Sequence, residues 1–196
     1  MNWKGQKMIK HNRVHISAWI IAAICFFLCS GLWAKEEFQA RMFPDVGPGG
    51  AKKPTKLLIS VDSYTSSEEV FQLMNIFNNS GYEQYRAALR AMNKGIIRPT
   101  GGRGTRIILH AAQSTPTEKG RNIILVAESE NWNLGSIIRL DSRFPYVVIE
   151  FSLNEKGKGT GNIYVSAEIK FTGEGTIERG DYNTPPKQLL GVAEIK

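Results

Sequence analysis

Apolar residues in the first half of the chain follow one strand pattern and then two helical patterns. The continuous apolar run Leu57–Val61 predicts a buried strand. Thr65, followed three residues later by Glu68, forms a capping-box pattern, so a helix is expected to begin there. Apolar stripes at helical spacing then predict two helices, the first through Val70, Leu73, Met74 and Phe77 and the second through Tyr82, Tyr85, Leu89 and Met92.

After Gly95 the apolar period changes to 2 and stays there. A strand, two helices and then a long run of strands predict an α+β fold, with two N-terminal helices packed on one face of a mainly antiparallel sheet of about six to eight strands. Turn-forming clusters separate the predicted strands, which are 103–112, 121–128, 136–140, 146–153, 162–171, 176–179 and 188–195.

The strands 146–153 and 162–171 have the clearest alternation and predict a hairpin. If Leu153 faces Ile163, one register buries an apolar face and exposes a polar one to solvent. In that register Glu150 and Glu168 are diagonal neighbours on the exposed face, about 7 to 8 Å apart.

The run Ala18–Ala34 has no charge and follows a basic segment without acids, which predicts a secretory signal cleaved after Ala34. Leu32, three residues before the cut, is bulkier than such sites prefer, so a single-pass N-terminal anchor stays open as the alternative. Initiation at Met8 instead of Met1 gives a more compact basic segment, and we expect Met8 to be the start.

Three regions are therefore predicted: a signal or anchor at 1–34, a flexible Gly/Pro-rich linker at 35–56, and a single α+β domain at 57–196. Loss of the four cations before residue 18 lowers the net charge from +7 to +3, so nucleic acid is not an expected partner. Both cysteines, Cys25 and Cys29, leave with the signal, so the exported chain has no thiol.

Four residues are candidates for catalysis. Asp62 follows the first strand, where loops often carry function but where turns also favour Asp. His110 is the one histidine outside the signal, and Glu150 and Glu168 are the pair of acids on the hairpin. No nucleophile elbow, zinc motif or calcium loop is present, so neither a metal nor a cofactor is expected.

Trp132 lies in a predicted loop and is the one tryptophan after residue 34. An exposed loop tryptophan can stack on a ligand, whereas a buried one folds down on the core. Arg139 and Arg143 follow in the same region. Together with Trp132 they are the predicted binding residues.

The segments KLLISVDSYTSSEEV, YVVIE, NEKGKGTG and PPKQLLGV resemble a group of small secreted bacterial proteins without an assigned function. The resemblance implies export and a single domain, and it carries over no catalytic residue, ligand or partner.

The sequence therefore favours a non-catalytic bacterial domain, periplasmic or secreted, that binds an envelope or extracellular partner or a small ligand. The alternatives are a hydrolase or lyase that uses carboxylates, and an envelope component tethered to the membrane through residues 18–34.

Overall fold

The computed structural model describes residues 35–43, 54–100, 106–132 and 145–196, all within one compact unit that begins at Ala34. None of the helices in these ranges is long and apolar enough to cross a membrane. The elements are β1 (Glu36–Met42), β2 (Thr55–Val61), α1 (Ser67–Ser80), α2 (Tyr82–Ala91), β3 (Gly95–Thr100), β4 (Ile107–Leu109), β5 (Ala111–Thr117), β6 (Gly120–Glu128), a short 3-10 turn (Ser129–Asn131), β7 (Tyr146–Asn154), β8 (Lys158–Phe171), β9 (Ile177–Tyr182) and β10 (Lys187–Ile195).

The strands form one antiparallel sheet in the order β4-β3-β2-β1-β10-β8-β7-β6-β5, with β9 attached to β8. Only His110 separates β4 from β5, and its N–H donates to the carbonyl of Val126 in β6 at 2.8 Å. The two ends of the strand order are therefore one continuous segment, and the sheet closes on itself.

Alternation along the strands sends every second side chain into the space that the closed sheet surrounds. With β4 and β5 counted together, eight strands close the sheet, and such an interior is just wide enough for side chains to fill. It holds a buried cluster that includes Phe38, Ile59, Leu125, Ile149 and Ile163. Burial of these side chains gives the main favourable free energy of the fold.

Helices α1 and α2 cover part of the outer face of the sheet. Ser66 caps α1 in a capping box with Glu69, one residue later than the Thr65 and Glu68 pattern predicts. The helices bury Val70, Leu73, Tyr85 and Leu89 in a second cluster against outward residues of β5 to β8. The sequence therefore predicts both helices and these four buried residues, but Phe77 and Tyr82 of the predicted apolar stripes are exposed.

The predicted fold class is wrong. The structure is mainly a ten-stranded antiparallel sheet, and its two short helices lie in mid-chain between β2 and β3 instead of at the N-terminal end. β1 causes the largest error, because Glu36–Met42 lies in the predicted linker yet pairs with both β2 and β10. Its alternating Phe38, Ala40 and Met42 are all buried. Residues 44–53 of that linker lie outside the described ranges, as does the predicted strand 136–140.

The predicted register of the β7–β8 hairpin is also wrong. Leu153 pairs with Gly159 instead of Ile163, because the chain turns tightly after Asn154 with Gly157 at φ 68°. A Cβ built at Gly161 lies 2.5 Å from that of Phe151, so glycine leaves the space that the phenylalanine fills. The displacement is an even number of residues, so the inward face of β7 is the predicted one.

A polar network lies where the ends of β1, β6 and β10 meet. Arg121 donates to Glu36 at 3.0 Å and to Glu194 at 3.1 Å, and its guanidinium lies 5.7 Å from the centre of the Phe38 ring. The Tyr64 hydroxyl donates to Glu36 at 2.7 Å. One arginine therefore balances two carboxylates at this end of the closed sheet.

Arg121→Met is expected to lower the free energy of unfolding by about 1 to 3 kcal/mol, because it removes the shared partner of two carboxylates. Urea unfolding followed by circular dichroism measures the change. Arg98→Met, at an exposed position of β3, is the control and is expected to change stability by less than about 0.5 kcal/mol. Equal effects of the two variants would contradict a structural role for the network.

Candidate functional site

A pocket of about 550 Å³ opens between the two helices and the second half of β8. Four β8 residues, 168–171, line one side, and α1 and α2 supply the other side. Its volume lies in the range of small-molecule sites, which are mostly apolar with a few polar groups. The remaining lining residues are Met74, Phe77, Asn78, Tyr82, Tyr85, Pro145 and Tyr146. We call this the aromatic pocket.

Tyr85 lies at the centre of the ring contacts in the aromatic pocket. Its ring centroid is 5.6 Å from that of Phe77 and 5.7 Å from that of Phe171, both in edge-to-face geometry. Tyr82 lies 5.9 Å away on the solvent side. Phe77 and Tyr82 stay 49% and 39% exposed, so the mouth of the pocket is aromatic and accessible.

Ion pairs hold α2 in place over the sheet. Arg86 bonds Glu130 at 2.6 Å, and Arg90 bonds Glu128, which is buried at the end of β6. Because Tyr82 and Tyr85 lie on the same helix, these contacts also fix the position of the pocket wall.

Tyr146 contributes the most unusual group of the pocket. The residue is 3% exposed, and its hydroxyl is buried without a hydrogen-bond partner among the described residues. The Tyr85 and Tyr82 phenols lie close enough to raise the pKa of Tyr146, but neither meets the distance and angle of a hydrogen bond to its hydroxyl. Such a buried unpaired hydroxyl is uncommon in native proteins and destabilises the fold.

Burial keeps the phenols of Tyr85 and Tyr146 neutral. It raises the pKa of Tyr146 well above the ordinary value, and the nearby Tyr85 raises that pKa further. Burial also raises the pKa of Tyr85. At physiological pH the Tyr146 hydroxyl therefore keeps its proton and can donate a hydrogen bond.

The structure does not bring the predicted acids together. Glu150 lies opposite Asn162 on β8, six residues before Glu168, so the two glutamates are not diagonal neighbours as predicted. Glu150 is bonded to Arg179 at 3.3 Å, whereas Glu168 lines the aromatic pocket. Asp62 is exposed after β2.

The local contacts of Asp62 and His110 are structural. The backbone N–H of Asp62 donates to the carbonyl of Lys94 at 2.8 Å. His110 joins β4 to β5, is 5% exposed, and has its Nδ1 3.0 Å from the carbonyl oxygen of Met92. Its Nε2 is buried without a partner among the described residues. Among the described residues, the contacts of the His110 imidazole include no serine, threonine or cysteine side chain that could act as a nucleophile.

Trp132 is 3% exposed and belongs to the interior cluster of the closed sheet. Its indole therefore packs in the core and cannot serve as the exposed stacking platform of the binding hypothesis. Arg139 and Arg143 lie outside the described residues.

Sequence reasoning missed the aromatic pocket because it assigned Tyr146 and Val148 to a face in contact with solvent. Both are buried under the helices, while Glu150 on the same strand face is only partly covered. The sequence did contain an indication of this covered surface, because the apolar residues Tyr146 and Val148 begin a strand face that was expected to be polar.

No three acidic, histidine or cysteine side chains group to form a metal site within the ranges 35–43, 54–100, 106–132 and 145–196. Comparisons with models of protein families, with curated proteins and with solved structures gave no match.

Tyr146→Phe is expected to raise the free energy of unfolding by about 1 kcal/mol, because it removes an unpaired buried hydroxyl. Tyr64→Phe is the matched control, since the Tyr64 hydroxyl donates to Glu36. That variant is expected to lose about 1.5 to 3 kcal/mol. Urea unfolding at pH 7 measures both, and a loss of stability in Tyr146→Phe would contradict the unpaired state of the hydroxyl.

The stability of Tyr146→Phe is also predicted to depend on pH less than that of the unmodified protein. Burial raises the pKa of Tyr64, Tyr85 and Tyr146 in the folded state, so their contribution to stability is complete below the unfolded pKa of about 10. It is lost as the pH rises above that value. The loss between pH 8 and pH 11 should be smaller in Tyr146→Phe than in the unmodified protein.

Proposed function

We propose that this chain is an exported, non-catalytic binding domain whose ligand site is the aromatic pocket. The buried, unpaired hydroxyl of Tyr146 in the pocket wall carries the proposal. A folded chain gains no stability from such a group, whereas a ligand with a hydrogen-bond acceptor can pair with it.

The pocket favours a small organic molecule with a planar apolar body and one acceptor group. Phe77, Tyr85 and Phe171 present ring edges and faces to such a body. The mouth carries one acid and one base, Glu168 and Lys170, so it imposes no net charge on the ligand. The Tyr146 hydroxyl is buried in the free protein, so a bound acceptor must displace a neighbouring side chain of the pocket to pair with it.

The arrangement of the acids gives no support to the hydrolase or lyase alternative. Glycoside hydrolysis, the carboxylate chemistry considered for Glu150 and Glu168, needs two carboxyl groups on either side of one substrate bond. Glu150 is instead paired with Arg179, and Glu168 stands alone at the pocket mouth. We therefore propose binding without catalysis.

We propose further that residues 1–34 direct export and are removed after Ala34, with a membrane tether as the alternative. The position of β1 supports cleavage, because this strand begins at Glu36 and the cut removes none of its residues. The domain would then be released into the periplasm or the medium with its sheet complete.

The ligand proposal predicts that 8-anilinonaphthalene-1-sulfonate binds the folded protein at one saturable site. Phe77→Ala is expected to weaken this binding about three- to tenfold, because it removes an edge-to-face ring contact at the pocket mouth. Fluorescence titration in buffer measures the dissociation constants.

Phe71→Ala is the matched control for this experiment. Phe71 lies on α1 with 41% exposure, close to that of Phe77, but does not line the pocket. Its variant is expected to bind the probe within about twofold of the unmodified protein. Tyr146→Phe should fold normally and bind more weakly. Equal binding by all three variants would place the probe elsewhere and refute the pocket as the site.

The export proposal predicts that protein recovered from the periplasm or medium starts at Lys35. Intact mass spectrometry of the full-length gene product, expressed in a bacterial host, measures the N-terminus. Recovery of the protein only in the membrane fraction, with residues 18–34 retained, would support the tether and contradict release.

A further inference from the structure

β9 pairs with β8 alone among the described strands, so its second edge has no strand beside it. The Thr172 N–H donates to the carbonyl of Thr176 at 3.0 Å, and Glu178 lies opposite Lys170. Hydrogen-bonded pairs recur at every second residue in an antiparallel ladder. Arg179 therefore directs its backbone N–H and C=O away from β8.

A side chain already occupies the first ladder position on this open edge. The carboxamide of Gln113 accepts from the N–H of Ile177 at 2.7 Å and donates to the carbonyl of Gly175 at 3.1 Å. These are the groups that the backbone of an added strand would contact. The next groups along the edge are the Ile177 C=O and the Arg179 N–H.

A groove of about 790 Å³ lies along this open edge. Three consecutive residues of β9, 177–179, line it. Their partners on β8, residues 169–171, do not line it, so the groove lies on the side of β9 away from that pairing. We call it the β9 groove.

The floor of the β9 groove is the outer face of β6, β7, β8 and β10. The pairing of these strands places the polar side chains of the groove floor in two rows that run across the strands. One row is Asn122, Ser152 and Thr160, and the other contains Glu150, Asn162 and Gln188. Amide and hydroxyl groups therefore face any chain that lies beside β9.

Arg179 holds the wall of the groove rigid. Its guanidinium lies 4.1 Å from the ring centre of Tyr164 and 4.9 Å from that of Tyr182, and it bonds Glu150 at 3.3 Å. The open edge is thus preorganised, which lowers the entropy lost on binding.

We propose that the β9 groove binds an extended peptide segment of another protein, which adds to β9 as a strand. The peptide backbone pairs with the Arg179 N–H and the Ile177 C=O, and alternate polar side chains meet the amide and hydroxyl floor. A peptide fits better than a glycan because Gln113 already satisfies the same edge with a carboxamide, the chemical unit of a peptide backbone. This site is separate from the aromatic pocket and does not depend on the function proposed for it.

The test uses a random heptapeptide library displayed on phage and selected against the protein from Lys35 to Lys196. The dissociation constant of the enriched synthetic peptide is measured by fluorescence anisotropy. Arg179→Pro removes the outward N–H without removing a bond to β8, since edge strands accept proline at such positions. It is expected to weaken binding at least tenfold.

Arg179→Ala is the matched comparison, because it loses the same side chain and its contacts to Tyr164, Tyr182 and Glu150 but keeps the N–H. Arg179→Pro is expected to bind at least tenfold more weakly than Arg179→Ala. Equal binding by the proline variant, no enriched peptide, or binding of soluble glucans in place of peptide would each overturn the proposal.

Hydrogen–deuterium exchange gives a second measurement that needs no folded proline variant. The Arg179 amide should exchange fast in the free protein and slowly in the peptide complex. Unchanged exchange at this amide in the complex would also refute strand addition.

Discussion

The fold depends on one continuous segment, residues 107–117, which pairs with β3 through its first part and with β6 through its second. His110 marks the change of partner, and its N–H bond to Val126 carries the ladder across the bend. Because the same segment supplies both edge strands of the sheet order, those edges are not left open. The other strands of the closed order then turn alternate side chains into one enclosed space, whereas β9 packs outside it.

That enclosed space is filled with side chains, which decides where binding can occur. Phe38, Ile149, Ile163 and Trp132 are all at most 3% exposed within the interior cluster, and the Arg121 network stands at one end. The aromatic pocket and the β9 groove lie instead on the outer surface of the sheet. The pocket is formed by the helices inserted between β2 and β3, and the groove by β9, the one described strand outside the closed order. The additions to the closed sheet are thus the parts that supply cavities.

The sequence predicts local structure well and long-range arrangement poorly. Both helices and the inward face of β7 follow from periodicity, because a side chain's face depends only on the parity of its position. The β7–β8 register does not follow, since a displacement by an even number of residues buries the same face. Closure of the sheet cannot be read from any local pattern, because residues 107–117 carry no mark of two different partners. The sequence could have revealed β1, whose alternation was obscured by the prolines and glycines that follow it.

An irregularity in β8 links the closed sheet to the candidate site. Tyr146 pairs with Ala167 but Val148 pairs with Tyr164, so β8 contains one residue more than β7 over this step. The extra residue reverses the alternation: Ile163 and Val165 point inward, whereas Ala167, Ile169 and Phe171 pack in the outer cluster. Without it, the apolar series from Ile163 to Phe171 would keep one face throughout, and Phe171 would not meet Tyr85 at the pocket. The apolar pattern does not reveal this irregularity. It places Ile169 and Phe171 in the wall of the aromatic pocket instead of the interior of the closed sheet.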